Sequence, residues 1–98
     1  MNTEYGDHSK TDEYHFRLFI AGDEIHSRTA RNNLDRICTC CIHKSYKVEI
    51  VDVFEDYATA LANNIFLTPA LVMILPEPPV IIFGDLSNTE EVKKSLRL

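Results

Sequence analysis

The segment Pro76-Glu77-Pro78-Pro79 separates two apolar runs, Ala70-Leu71-Val72-Met73-Ile74-Leu75 and Val80-Ile81-Ile82-Phe83. Proline fixes φ and offers no backbone N–H, so neither a helix nor a central strand can run through that break. The pattern implies a strand, a stiff loop and a returning strand. Thr68-Pro69 ends whatever precedes the first run, and Gly84-Asp85 ends the second.

Upstream, His15-Phe16-Arg17-Leu18-Phe19-Ile20-Ala21 alternates Phe16, Leu18 and Ile20 on one face. Phe19 and Ala21 make the other face partly apolar, which predicts a strand buried on both sides. Gly22-Asp23 breaks it. Ser27 is expected to cap a helix in which Ala30, Leu34, Ile37, Cys38 and Cys41 recur at three- and four-residue spacing, the arginines and asparagines between them facing water. Tyr46-Lys47-Val48-Glu49-Ile50-Val51-Asp52-Val53 is a β-branched run whose Lys47 and Glu49 suit a solvent-exposed edge strand. Two strands around one helix form a βαβ unit, hence parallel pairing and a right-handed crossover.

Asp56 can cap a short helix with Ala58, Leu61 and Ile65 on one face, and Asn63 and Asn64 weaken its end. Ser87 with Glu90 three residues later reads as a capping box for a last helix that turns Val92 and Leu96 inward. Its Glu90 and Glu91 lie toward the positive end of the helix dipole, and Lys93, Lys94 and Arg97 toward the negative end.

The expected order is therefore β-α-β-α-β-β-α: an α/β, thioredoxin-like single domain with helices on both faces of a four-stranded mixed sheet. It should occupy residues 14–98, after a polar tail over residues 1–13 with no apolar period, expected to be disordered. In that architecture an X-Pro bond just before the third strand is commonly cis, and Thr68-Pro69 is assigned so.

Composition narrows the function. The 98 residues allow one small core, and 45% hydrophobic with 26% charged residues is ordinary globular usage. A binding module suits that size better than an enzyme with a deep cleft. A net charge of −5 and a pI near 5.2 argue against nucleic acid or an anionic membrane as partner. No apolar stretch approaches the roughly 18 residues of a membrane span, and the first dozen residues lack a signal peptide's basic and hydrophobic regions, so a cytoplasmic location is expected.

Catalytic and metal-binding patterns are weak. Cys38, Cys40 and Cys41 are an odd, clustered set, for which reduced thiols are the default. A dithiol oxidoreductase needs its nucleophile at the first strand-to-helix turn, where the helix N-terminus stabilises thiolate. That turn reads Gly22-Asp23-Glu24-Ile25-His26-Ser27, without cysteine and with two carboxylates. Cys38-Thr39-Cys40-Cys41-Ile42-His43 has the atoms for zinc but not a recognised ligand spacing. Cys38 and Cys41 read better as small core residues, with Cys40 and His43 turned outward. His8, His15 and His26 have no nucleophile near them in sequence. Gly6, Gly22 and Gly84 are too far apart for a phosphate loop, and Asp52, Glu55 and Asp56 read as a strand end with helix caps. No catalytic residue, metal or cofactor is expected. The alternatives kept open are a thioredoxin-fold thiol or metal sensor and an oligomeric signalling module without an ATPase partner.

Leu18-Phe19-Ile20-Ala21-Gly22, Val51-Asp52-Val53, Leu67-Thr68-Pro69-Ala70-Leu71, Ile74-Leu75-Pro76 and Ile82-Phe83-Gly84-Asp85-Leu86-Ser87 together resemble the KaiB family of circadian clock proteins. The resemblance spans residues 14–98. It implies a non-enzymatic regulatory adaptor that binds a KaiC-type ATPase, a double-ring protein, in a circadian clock or a clock-derived stress-adaptation system. KaiA, or a histidine kinase with a KaiB-like sensory domain acting as competitor, would be its further partners. It also implies fold switching between a thioredoxin-like state and a ground state, a dimer or tetramer, that packs the C-terminal half differently. Thr68, Pro69, Gly84 and Asp85 would then set the balance, and Lys47, Glu49, Asn64, Val80 and Ile81 would face the partner. Clock members usually have basic residues where this chain has Asn64 and Val80-Ile81, and often lysine where it has Glu49, so its complementarity to an acidic ring is reduced.

Overall fold

The computed structural model describes residues 13–98. Of the tail expected over residues 1–13, residues 1–12 lie outside the described residues and Glu13 belongs to the first strand. The elements follow the anticipated order: β1 (Glu13–Ile20), α1 (Ile25–Cys41), β2 (Ser45–Asp52), α2 (Tyr57–Ala62), β3 (Ala70–Leu75), β4 (Val80–Phe83) and α3 (Thr89–Ser95). The sheet order is β2-β1-β3-β4. β1 runs parallel to β2 and antiparallel to β3, and β3 and β4 form the antiparallel hairpin that the prolines demanded. β2 is an edge strand, as its charges suggested. Thr68-Pro69 is cis, as are Leu75-Pro76 and Glu77-Pro78.

Alternation along β1 supplies two cores. Phe16, Leu18 and Ile20 join Leu71 and Met73 of β3 under α1 and α3, where Ala30, Leu34, Ile37, Cys38, Val92 and Leu96 close the layer. On the opposite face Phe19 packs with Val51, Ala70 and Val72 beneath Ala60 and Ile65. Each large side chain so buried stabilises the fold by roughly 1.5–3 kcal/mol. The second layer is the thinner one, because α2 has 6 residues against 17 in α1.

Several local expectations are corrected. Glu24, not Ser27, caps α1: its carboxylate accepts from the backbone N–H groups of His26 and Ser27, and the His26 N–H is the main cause of its lowered pKa. Ser27 is fully buried with its Oγ accepting from the Ala21 N–H at 3.0 Å, so that oxygen closes the preceding turn instead. Asn33 does not face water; it is buried on the inner stripe beside Leu34. Cys38 is a buried free thiol, but Cys40 and Cys41 are joined by a disulfide rather than reduced. Both lie in the last turn of α1, and Cys41 is only half-buried rather than part of the core. His43 is exposed, as expected.

α2 is capped by Asp56, whose carboxylate accepts from the Thr59 N–H and hydroxyl. Its inner face is Ala60, whereas Ala58 and Leu61 are exposed and Ile65 packs from beyond the helix end. So short a helix is oriented by its cap and by the strand ends rather than by its own periodicity. For α3 the capping residue is Asn88, accepting from the Glu91 N–H; Ser87 instead donates its N–H to Asp85. No described helix is long and apolar enough to cross a membrane.

Candidate functional site

The turn after β4 is built by its own backbone requirements. Gly84 has φ +109°, a conformation that L side chains rarely adopt, and its N–H donates to the Pro69 carbonyl at 2.9 Å. The structure thus brings together two of the residues singled out from sequence, one at the start and one at the end of the hairpin, with Thr68 adjacent. Asp85 follows. Hydrogen bonds from the Ser87 hydroxyl and N–H hold its carboxyl below the usual carboxylate range, and His26 Nδ1 lies 3.8 Å from Oδ2. The Asp85 carbonyl accepts from the Asn33 side-chain amide at 2.8 Å, while Arg36 donates to Asn33 Oδ1 at 2.8 Å.

A second cluster lies on the α2 side of the sheet. Glu49 stands opposite Arg17 in the β1–β2 register and accepts from its Nε at 2.9 Å. Arg17 Nη1 reaches Asn63 Oδ1 at the end of α2 at 3.5 Å. His15 Nε2, buried without a hydrogen-bond partner, lies 4.0 Å from the same Glu49 oxygen. Lys47 is exposed opposite His15.

The five residues expected to face a partner do not form one continuous patch. Lys47 and Glu49 lie on β2 and Ile81 on β4, at opposite edges of the sheet. Ile81 is exposed, but its neighbour Val80 packs against the α1–α3 core and points the other way. Asn64 is exposed just past α2 with φ +59°. What lies between is apolar: Phe54, Tyr57, Leu61, Phe66 and Leu67 are exposed large side chains around α2, and Phe83 joins Ile81 on β4.

Sequence reasoning missed Asn33 and Arg97. Arg97 donates to the carbonyls of Pro76 and Pro78 at 2.8 and 3.2 Å, tying the C-terminal turn to the Pro-rich loop. The only signal for Asn33 was its place next to Leu34, three residues after Ala30, on the apolar stripe.

The KaiB domain family model matches residues 17–98, which takes in nearly all of the described chain. The chain belongs to the KaiB family. It is 43% identical over 76 residues to the circadian clock protein KaiB3 of Synechocystis sp., covering 78% of this chain and 74% of that one. It is 35% identical over 85 residues to the circadian clock oscillator protein KaiB of Prochlorococcus marinus, covering 87% and 79%. Among solved structures, the N-terminal domain of Synechococcus elongatus SasA superposes with a TM-score of 0.72 at 18% identity, over 88% of this chain and 85% of that domain. Mitochondrial thioredoxin 3 of Saccharomyces cerevisiae gives 0.70 at 17% identity, over 97% and 88%. These likenesses establish a thioredoxin-like fold for this KaiB-family chain.

Proposed function

We propose that this chain is a non-enzymatic regulatory adaptor that docks on a KaiC-type ATPase ring, and that its thioredoxin-like arrangement is the binding-competent member of two folds. The observation that carries the reading is where the exposed apolar side chains lie. Phe54, Tyr57, Leu61, Phe66, Leu67, Ile81 and Phe83 all follow β2, whereas among the described residues of the first half only Ile25, Tyr46 and Ile50 are comparably exposed. A second half that leaves so much apolar surface in water has something to gain from a partner or from another packing. The short runs Ala70–Leu75 and Val80–Phe83 allow such a repacking, because their period does not distinguish strand from buried helix.

A ring that binds the thioredoxin-like state alone shifts the population toward it by its differential affinity for the two folds. Thr68, Pro69, Gly84 and Asp85 are the residues proposed to set that balance, because they close the hairpin and its following turn. Lys47, Glu49, Asn64 and Ile81 are proposed to contribute to the partner surface, with Val80 acting through the core beneath. Assembly as a dimer or tetramer, and competition with a KaiB-like histidine kinase domain or recruitment of KaiA, belong to the same proposal.

The test is direct mixing. The purified chain and a KaiC-type ATPase from the same organism should co-elute on gel filtration as a complex larger than the ring alone. Unchanged elution of both, across ATP- and ADP-loaded rings, would contradict the reading.

A further inference from the structure

We infer that the aromatic surface around α2 is the contact that carries binding energy, and that it fits a recess on the ring that is apolar within and rimmed by Lys or Arg. This rests on the adaptor reading above and specifies its chemistry. Phe54, Tyr57, Phe66 and Leu67 are 77%, 66%, 75% and 66% exposed and lie within fourteen residues of one another in sequence. Tyr57 and Phe66 line a groove of about 260 Å³ together with Val53, Ala60, Leu61 and Ile65, while Phe54 and Leu67 are their exposed neighbours in sequence. Large aromatics around such a groove are the side chains that dominate interface energetics once desolvated.

Charge identifies the occupant. Along the chain no Lys, Arg or His stands between Lys47 and Lys93, Arg17, which reaches the end of α2, is paired with Glu49, and Asp52, Glu55 and Asp56 lead into α2. The Asp52 carboxylate is occupied by the N–H groups of Gly22 and Phe54, and that of Asp56 by Thr59. The Glu55 carboxylate makes no hydrogen bond or ion pair among the described residues. Phe54 lies against Gly22, which sets Asp23 and Glu24 beside the same surface, with Arg28 Nε 3.5 Å from the Asp23 carboxylate. A second copy presenting the same surface would set carboxylates against carboxylates, which penalises association. A basic-rimmed partner gains from that field.

The experiment measures binding of the full chain to a KaiC-type ATPase from the same organism, at low and raised salt. Phe54→Ser with Phe66→Ser, and separately Leu67→Ser, should each keep the far-UV circular dichroism of the parent, since these side chains point into water. The double variant should weaken binding about thirtyfold, the size of an interface hot spot. Glu55→Lys should weaken it several-fold, and added salt should weaken the parent's binding more than that of Glu55→Lys. If the parent binds and the folded double variant binds equally well, or if Glu55→Lys tightens the complex, the inference is overturned while the adaptor reading stands. Self-association of the parent that the same variants abolish would also overturn it, by making a second copy the occupant. Failure of the parent to bind at all would overturn the adaptor reading, and this inference with it.

Discussion

The side-chain amide of Asn33, in the middle of α1, donates to the main-chain carbonyl of Asp85 across 2.8 Å, joining two points 52 residues apart in sequence. Asn33 is 7% exposed, so its amide is largely shielded from water while the Asp85 turn is only partly buried. It fastens the turn after β4 to the half of the chain that the proposed switch leaves unchanged. Asn33→Leu should therefore destabilise the thioredoxin-like arrangement by about 0.5–1.5 kcal/mol, the net worth of one partly buried hydrogen bond. Arg36→Ala, which leaves the amide in place, should cost less. Urea unfolding of both variants checks the order.

Gly84→Ala should destabilise this same arrangement by about 1–2 kcal/mol, because φ +109° penalises any Cβ. No heavy atom lies within 4 Å of the position that Cβ would take, so the penalty is conformational rather than steric packing. Amide exchange at Gly84, whose N–H is held by Pro69, should speed up in step with the loss of stability.

Burial, with a smaller contribution from the Asp35 charge, pushes the Cys38 thiol up from 9.0 to about 11. Since the raised value belongs to the folded state, the stabilisation it brings is complete below pH 9 and is lost as pH rises toward 11. Unfolding free energy should fall across that window, and Cys38→Ala should flatten the slope. Cys38 should also resist thiol reagents at pH 8 in the native chain and react after denaturation.

Removing the Arg17–Glu49 pair should matter little for folding. It sits on an edge strand with Glu49 about half exposed, at 47%, so Glu49→Gln should change stability by less than about 1 kcal/mol. If Glu49 faces the ring as proposed, the same variant should alter the salt dependence of binding, which titration at two ionic strengths would read.

Much of the fold was legible because its determinants are local. The prolines around residues 76–79 enforce a hairpin, the alternation Phe16, Leu18, Ile20 marks a doubly packed strand, and Asp56 caps the helix that follows it. The misread details depend on partners distant in sequence. Ser27 does not cap α1 because its hydroxyl is taken by Ala21, and Asn33 turns inward because Asp85 offers a carbonyl there. The face of α2 was misassigned because a helix of 6 residues has too little period to orient itself. For the site, Thr68-Pro69 and Gly84-Asp85 stood out in sequence, but their convergence through the Gly84–Pro69 hydrogen bond required the fold. The exposure of Phe66 and Leu67 also required the fold, because nothing in their sequence neighbourhood assigns them to a face.

The most direct test of the central claim is a comparison of backbone chemical shifts for residues 70–98 in the free chain and in its complex with a KaiC-type ATPase ring. The account expects extended shifts over Val80–Phe83 and helical shifts over Thr89–Ser95 in the complex, with an increased population of that state relative to the free chain wherever the free chain shows a second set of resonances. A complex in which these residues adopt a different secondary structure, or a ring that leaves every resonance of the chain unchanged, would contradict it.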